Sequence, residues 1–454
     1  MSNPLKFIVD IRKGELPLAL LMFGYFFLVI TSFWILKPIK KGLFIQFYDV
    51  SGFTLMNWHL AASQAELIAK VLNMLVAFAA VVVFTLLVRH MRRHWLTLTF
   101  SIFFILGFIY YSQVIDTPGD WTIWSFYLFG DLFSTLMVAT FFAFLNDSVT
   151  PDKAKRLYGL IGLGGVAGGV FGTSMGAIWI HTLSTSNWLW ICVLLALLII
   201  VFSMLAGRLV ENDAELKQHA KQTDHPSNSG KKPGNPALEG ARLVFASRYL
   251  LSIVAIVGIY EIVSTIIDFQ FTTTIAHYLD GDAIGQQFTL VFTITNWVSL
   301  AVQIFLTSWI MTRFGLKTAL MVLPFMIMLG SLAFLALPVL AVGSLLNTVD
   351  NGFSYSINQS AKEALYVLTS SEEKYKAKAF IDMFVQRFAK SIAVFVSLGI
   401  SMTFTTFESI HYLSILVLVL LIAWYFAARY AGNHFATREK LLANNQQPDK
   451  MVPE

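Results

Sequence analysis

Apolar windows of about twenty residues recur along the whole chain. They lie near 17–36, 64–88, 95–115, 121–145, 158–182 and 187–209, and resume near 249–275, 286–312, 317–337, 340–361, 379–403 and 409–430. A helix of about twenty apolar residues matches the hydrocarbon core of a bilayer. Lipid offers no partner to an exposed amide, so each crossing must be helical. The predicted fold is all-α and integral to the membrane, with about twelve transmembrane helices. The alternating strands of an outer-membrane barrel are absent. Charged residues make up 13% of the 454 and hydrophobic residues 56%. Soluble domains run near a quarter charged. An ordinary soluble enzyme, a disordered chain and a repeat solenoid are excluded. The net charge of +5 points to basic cytoplasmic loops, not to a nucleic-acid partner.

Residues 210–247 break the pattern with a polar stretch from Glu211 and Lys217 to Pro226, Gly230, Lys231, Lys232, Pro233 and Gly234. Such a composition reads as a linker. It divides the chain into a six-helix bundle over 1–209, a cytoplasmic linker over 210–247 and a second six-helix bundle over 248–454. Two parallel six-helix repeats are the major-facilitator plan. Alternate loops carry the cations: Arg89, Arg92 and Arg93; Lys153, Lys155 and Arg156; the linker; Arg313 and Lys317; Lys374, Lys376 and Lys378. The positive-inside rule then places both termini in the cytoplasm. Lys37, Lys40 and Lys41 break that rule, because they follow the first window on the outer side. The first window itself reads as a retained helix, not a cleaved signal.

Chemical motifs are few. Cys192 is the sole cysteine, so no internal disulfide or cysteine-ligated metal is expected. Apart from His90 and His94, spaced i, i+4, the histidines show no ligand spacing, so a metal site has little support. No nucleophile–His–acid set appears, so neither an enzyme nor a bound cofactor or metal is expected. The glycines from Gly162 to Gly176 do not fit a phosphate loop, since Ala167 takes the last position of Gly-x-Gly-x-x-Gly. Gly165-x-x-x-Gly169 and Gly172-x-x-x-Gly176 instead fit close helix packing.

An ionisable side chain within a crossing is costly and is a functional candidate by default. At 1.5 Å per residue, Asp131 and Asp350 fall about 15 Å deep, Glu261 about 18 Å, Arg387 about 13 Å and Lys390 about 17 Å. All five are near the midplane and come from both halves. Arg387 and Lys390 are spaced i, i+3 and face a similar direction, so an anion between them would relieve their repulsion. Asp268 lies nearer the outer end of its crossing, where capping and gating are both open. Lys362 and Glu363 sit at the inner end of the tenth, as interfacial anchors or as a gate. Lys70 in the second either reaches outward or faces a cavity.

Several stretches carry a resemblance. Phe126-Tyr127-Leu128-Phe129-Gly130-Asp131-Leu132-Phe133, Phe144-Leu145-Asn146-Asp147 and the run from Asp152 to Gly164 resemble the ATP:ADP antiporter family of plastids and intracellular bacteria. So do Lys362-Glu363-Ala364-Leu365-Tyr366, Lys376 to Asp382, Arg387-Phe388-Ala389-Lys390-Ser391, and Leu36-Lys37-Pro38-Ile39-Lys40-Lys41-Gly42-Leu43. The resemblance implies exchange of ATP for ADP on a twelve-span fold. By motif it sets family lysines on Lys40 and Lys390, and family glutamates on Asp131 (one carbon shorter) and Glu261. This chain departs from the pattern at Lys41, where the family has an acid. It departs again at Gln359-Ser360-Ala361, where the family has Asp-Pro.

The expectation is an alternating-access carrier in a bacterial inner membrane, acting as a monomer on a phosphorylated anion, most simply a nucleotide. Lys40, Arg387 and Lys390 would neutralise phosphate oxygens. Asp131 and Glu261 would hold those cations when no substrate is bound. Lys37, Lys70, Asp268, Asp350, Lys362 and Glu363 are secondary candidates. The alternative is a proton-coupled major-facilitator carrier of another organic anion, a drug or a lipid, with Asp131, Glu261 or Asp350 carrying the proton. A non-transporting membrane receptor is the third class.

Overall fold

The computed structural model describes residues 15–55, 58–91, 93–149, 151–212, 236–367, 369, 377–404 and 407–445. These residues are almost wholly helical. The polar core of the expected linker, and Lys374 and Lys376, lie outside them. The chain divides into two compact units, one of Met1–Gly230 with Asp280–Asn296, the other of Lys231–Leu279 with Trp297–Glu454.

The first unit opens with α1 (Leu16–Tyr48). This helix runs twelve residues beyond the apolar window that predicts it, because Lys37, Pro38, Lys40 and Lys41 end the window without ending the helix. Pro38 lacks the amide that would bond the Trp34 carbonyl, a loss that helices packed in a membrane tolerate. The three lysines therefore lie within α1, not in a loop. A short hairpin follows, β1 (Phe53–Leu55) and β2 (Trp58–Leu60), in the register Phe53↔Leu60, Thr54↔His59 and Leu55↔Trp58. Gly52 precedes it at φ 62°, where a Cβ would meet the Leu60 carbonyl. Then come α2 (Ala62–His90), α3 (Arg93–Val114), α4 (Asp120–Ser148), α5 (Pro151–Trp179) and α6 (Thr185–Asn212).

α1 is the axis of this unit and packs on α4, α5 and α6. Its most extensive contact is with α5, and glycines make it. Side chains built at Gly164, Gly168 and Gly172 would collide with the α1 carbonyls of Phe23, Phe27 and Thr31. Thr31 Oγ1 donates to the Gly168 carbonyl at 3.2 Å. Packing is thus the role of the glycine run: the expected Gly165 and Gly169 face the α1 side chains of Phe26 and Trp34, and the adjacent row of Gly164, Gly168 and Gly172 meets the α1 backbone. The aromatics of α1, α3 and α4 fill the rest. Phe129 is ringed by Phe104, Phe108 and Tyr111 at centroid separations of 5.1–5.3 Å, within the range aromatic pairs favour.

The second unit holds α7 (Pro236–Ala246), α8 (Arg248–Tyr278), α10 (Gly315–Ala336) and α13 (Leu413–Asn445). Ser247 caps α8, accepting from the Leu250 amide at 3.3 Å. α9 (Asp282–Ala301) begins in the first unit and passes into the second after Asn296, continuing through a π-helical turn, Val302–Thr307, to Arg313. Its first half lies on α1 and α5. Gly42 and Gly285 bring the backbones of α1 and α9 together, and Thr293 donates to the Thr173 carbonyl at 2.9 Å. α11 (Leu340–Phe353) is interrupted by a π turn, Ser354–Asn358, before Gln359–Leu365. α12 opens as Lys378–Phe380, passes through Ile381–Val385 as a π turn and continues as Gln386–Thr403.

Ten of the described helices are long and apolar enough to cross a membrane. The remaining two predicted crossings, 340–361 and 379–403, are helical at the expected places, but their π turns and charged residues divide them. The internal repeat is visible in the packing. α8 contacts α11, α12 and α13 in the second unit as α1 contacts α4, α5 and α6 in the first.

Candidate functional site

Each unit gathers charge on its leading helix. In the first, Lys40 is 5% exposed and its ammonium is ion-paired with Asp131 of α4. The same ammonium lies 4.4 Å from the centroid of the Tyr127 ring, one turn earlier on α4. Lys40 and Asp131, chosen by motif and by depth, are therefore in direct contact. Lys37 lies over aromatic faces, 4.6 Å from Trp34 and 4.7 Å from Phe292. Such contacts offset part of the cost of burying an ammonium.

Beside this pair is a group that the sequence reading passes over. Glu66, in the first turns of α2, is fully buried. It meets Lys41 at 3.4 Å and Lys70 at 3.3 Å. Tyr127 donates its hydroxyl to Glu66 Oε1 at 3.0 Å. Lys70 thus turns back onto its own helix, one turn down, and does not reach outward. Its spacing from Glu66, i to i+4 at the entry to an apolar run, was the available signal. Lys41 is visible in sequence as a departure from the family pattern and as one of three lysines past the first window.

In the second unit, Lys390 of α12 reaches Glu261 of α8 at 3.4 Å. The partners differ in exposure: the Glu261 side chain is 10% accessible and the Lys390 side chain 51%. Arg387, one turn before Lys390, is half-buried and makes no ion pair among the described residues. Asp350, on α11, is fully buried and accepts a hydrogen bond from Ser264 of α8 at 2.6 Å. Tyr355, in the π turn that follows, feels the charges of Asp350, Lys390, Asp268 and Glu261 together. Asp268 belongs to this neighbourhood as well as to the outer part of α8.

Lys362 and Glu363 separate. Lys362 is 9% exposed and lies 5.1 Å from the Tyr260 ring, with Glu261 and Asp382 as charged neighbours. Tyr260 in turn accepts from Ser354 at 2.5 Å and packs edge-on against Trp424. Glu363 turns outward to a partly exposed pair with Lys378 of α12 at 2.6 Å. The tyrosines and Ser264 carry no charge, so charge arithmetic along the sequence does not find them.

A carboxylate held against an ammonium in a membrane-crossing helix bundle is chemically a stored cation. The buried pair costs desolvation that its attraction only partly returns. An anion with several oxygens competes well for the ammonium through charge-assisted hydrogen bonds. Among the described residues no group of three His, Cys, Asp or Glu is placed to hold a metal ion.

The model of the TLC ATP/ADP transporter family matches residues 110–341 and 335–435. Among curated proteins, the chain is similar to an ADP,ATP carrier protein 1 of Chlamydia pneumoniae, 22% identical over 384 residues, covering 75% of this chain and 74% of that one. It is similar to an ADP,ATP carrier protein 3 of Rickettsia bellii, 23% identical over 356 residues, covering 69% and 70%. It is also similar to a plastidic ATP/ADP-transporter of Solanum tuberosum, 22% identical over 343 residues and 69% of this chain; there it spans about half of the relative's length, 54%. Among solved structures, the nucleoside transporter NupG superposes with a TM-score of 0.65 at 12% identity, over 91% of this chain and 99% of its own. A bacterial homologue of the human lysosomal transporter Spinster superposes with a TM-score of 0.59 at 10% identity, over 94% and 99%. Both share the fold.

Proposed function

The chain belongs to the TLC ATP/ADP transporter family, and on that premise we propose that it exchanges ATP- and ADP-like nucleotides across a bacterial inner membrane by alternating access. It is a multi-pass membrane transporter, not an enzyme. The observation that carries the substrate reading is one lysine–carboxylate pair in each unit, Lys40 with Asp131 and Lys390 with Glu261. Phosphate oxygens take over the ammonium groups, and the carboxylates take them back when the substrate leaves. Arg387, half-buried one turn from Lys390, supplies a bidentate donor to the same phosphate. Lys37 and Lys362, lying over aromatic rings, hold further positive charge in reserve, while Asp268 acts beside Tyr355 and Glu363 at the end of its helix. The basic loops support cytoplasmic termini, and the working unit is the monomer.

Exchange follows from charge. An empty carrier resets with its lysine–carboxylate pairs buried, a desolvation cost that their attraction only partly returns, and a returning nucleotide offsets that cost. The test is uptake of labelled ATP into proteoliposomes, with and without internal ADP. Uptake that needs internal nucleotide and disappears in Lys390→Ala supports the reading. Absence of uptake for every nucleotide tried ends it.

A second reading rests on Asp350, an acid wholly buried in a crossing helix and held by Ser264. It makes the chain a proton-coupled carrier of another organic anion, and predicts uptake that a protonophore abolishes and internal substrate does not stimulate.

A further inference from the structure

Within the second unit, α7 is set apart from the crossings. Its 11 residues, Pro236–Ala246, reach about 17 Å, roughly half of what the hydrocarbon core demands. The chain then turns at Ser247, whose extended backbone (φ −119°, ψ 116°) separates α7 from the membrane-crossing α8. The corner is pinned: Tyr249 donates its hydroxyl to the Leu365 carbonyl at 2.8 Å and stacks on His434 with ring centroids 4.7 Å apart. Gly240 and Val244, one turn apart, are buried, and the helix packs on α8 and on the opening of α12, Lys378–Phe380. Away from that side, Arg242 is exposed and Phe245 is 73% exposed. Spaced i, i+3, the two are neighbours on the helix surface. Arg248, just past the corner, is exposed as well. Over 239–248 the exposed charged residues are these two arginines, and Glu239, the one acid there, is half-buried. A large ring beside guanidinium groups suits neither bulk water nor hydrocarbon. It suits the membrane interface, where the ring dips among acyl chains and the arginines reach up to phosphates.

We propose that α7 is a docking surface for anionic lipid headgroups, gripped by Arg242 and Arg248 with Phe245 as the apolar anchor, and that lipid held there steadies the opening of α12. Charge complementarity selects the occupant: cations at the mouth of a crossing attract the anionic lipids of the leaflet they face, and zwitterionic lipids far less. α7 touches α12 directly, and α12 carries Arg387 and Lys390. A lipid that fixes α7 against the membrane surface therefore narrows the positions that the start of α12 can take. The inference goes beyond the nucleotide reading and does not depend on it.

The test places a fluorophore on Ala246→Cys, exposed beside Phe245, in the full chain reconstituted into vesicles. The native Cys192 is buried and stays unlabelled. Lipids brominated on their acyl chains quench a fluorophore that lies among them. At equal mole fraction, brominated phosphatidylglycerol should quench at least about twofold more than brominated phosphatidylcholine, and about 0.5 M salt should shrink the difference. Arg242→Gln combined with Arg248→Gln should bring the ratio near one, while Phe245→Ser should lower quenching by both lipids. Equal quenching by the two lipids, or a preference that survives the double variant, overturns the docking surface. Spin labels on Ala246→Cys and Phe388→Cys, both exposed, report on α12. Their distance distribution should narrow when phosphatidylglycerol replaces part of the phosphatidylcholine, and stay broad in the double arginine variant. A distribution indifferent to the lipid overturns the hold on α12.

Discussion

The ammonium of Lys40 is held between two groups of a single helix, the carboxylate of Asp131 and the face of Tyr127 one turn before it. One side balances the charge and the other accepts it without charge. The arrangement lets the lysine exchange one anion for another while the ring keeps its contact.

Breaking that pair one side at a time strands a charge. Asp131→Asn leaves Lys40, 5% exposed, without its counterion and should cost about 3 kcal/mol, near the lower end for buried pairs because Asp131 is partly accessible. Lys40→Met combined with Asp131→Asn should recover most of that stability and none of the transport. Thermal unfolding in detergent, run beside ATP uptake, separates the two effects. A double variant no more stable than Asp131→Asn alone argues against the pair as the cause.

The second pair should behave differently. Half of the Lys390 side chain is accessible, and exposed pairs contribute about 1 kcal/mol or less. Lys390→Ala should therefore abolish exchange while leaving the melting temperature within a few degrees of wild type. A large loss of stability with retained exchange is the contrary outcome.

The glycine row on α5 makes a positional prediction. Gly168→Val drives a side chain into the Phe27 carbonyl and should destabilise the protein by about 1–3 kcal/mol or more, as overpacking does. Gly162, with nothing near its built Cβ, should accept alanine with a gain of up to about 1 kcal/mol in helix propensity. Melting temperatures of the two variants falling together would remove the close-packing account.

Asp49, just past the end of α1, gives a pH prediction. Burial first, and then the negative charge of Asp280, push its carboxyl above the ordinary aspartate range. A raised carboxyl favours the neutral form in the folded state, so its ionisation weakens the fold as pH climbs above about 4. Asp49→Asn removes that loss. The variant should match wild type at low pH and gain in melting temperature as the solution approaches neutrality. A difference that stays constant across the pH range rejects this account.

The crossings were legible because lipid leaves the backbone one solution, and apolar length reports it directly. The end of α1 was not. Lys37, Pro38, Lys40 and Lys41 look like an exit when each residue is read for lipid solubility, since their partners Asp131 and Glu66 are distant in sequence. Depth along the helices picked out Asp131, Glu261 and Lys390 as midplane charges, and the structure puts each in an ion pair. It could not pick out Glu66, which stands at the entry to α2, where a carboxylate is unremarkable. The π turns in α11 and α12 escape a reading by period, because one added residue shifts the helix face without changing composition. The glycine run announced close packing, but which row meets the α1 backbone and which its side chains depends on helix rotation, which a string of small residues leaves open.

Finally, the repeat is inverted in sign. The leading helix α1 contributes the cation to its pair, while α8, its counterpart, contributes the anion. The halves are therefore not interchangeable parts. A chimaera built from two copies of the first would double an already cationic set of side chains. One built from two copies of the second would lose Lys40, Lys41 and Lys70 altogether. The scaffold repeats while the charges on its two leading helices do not, and each pair depends on its own half.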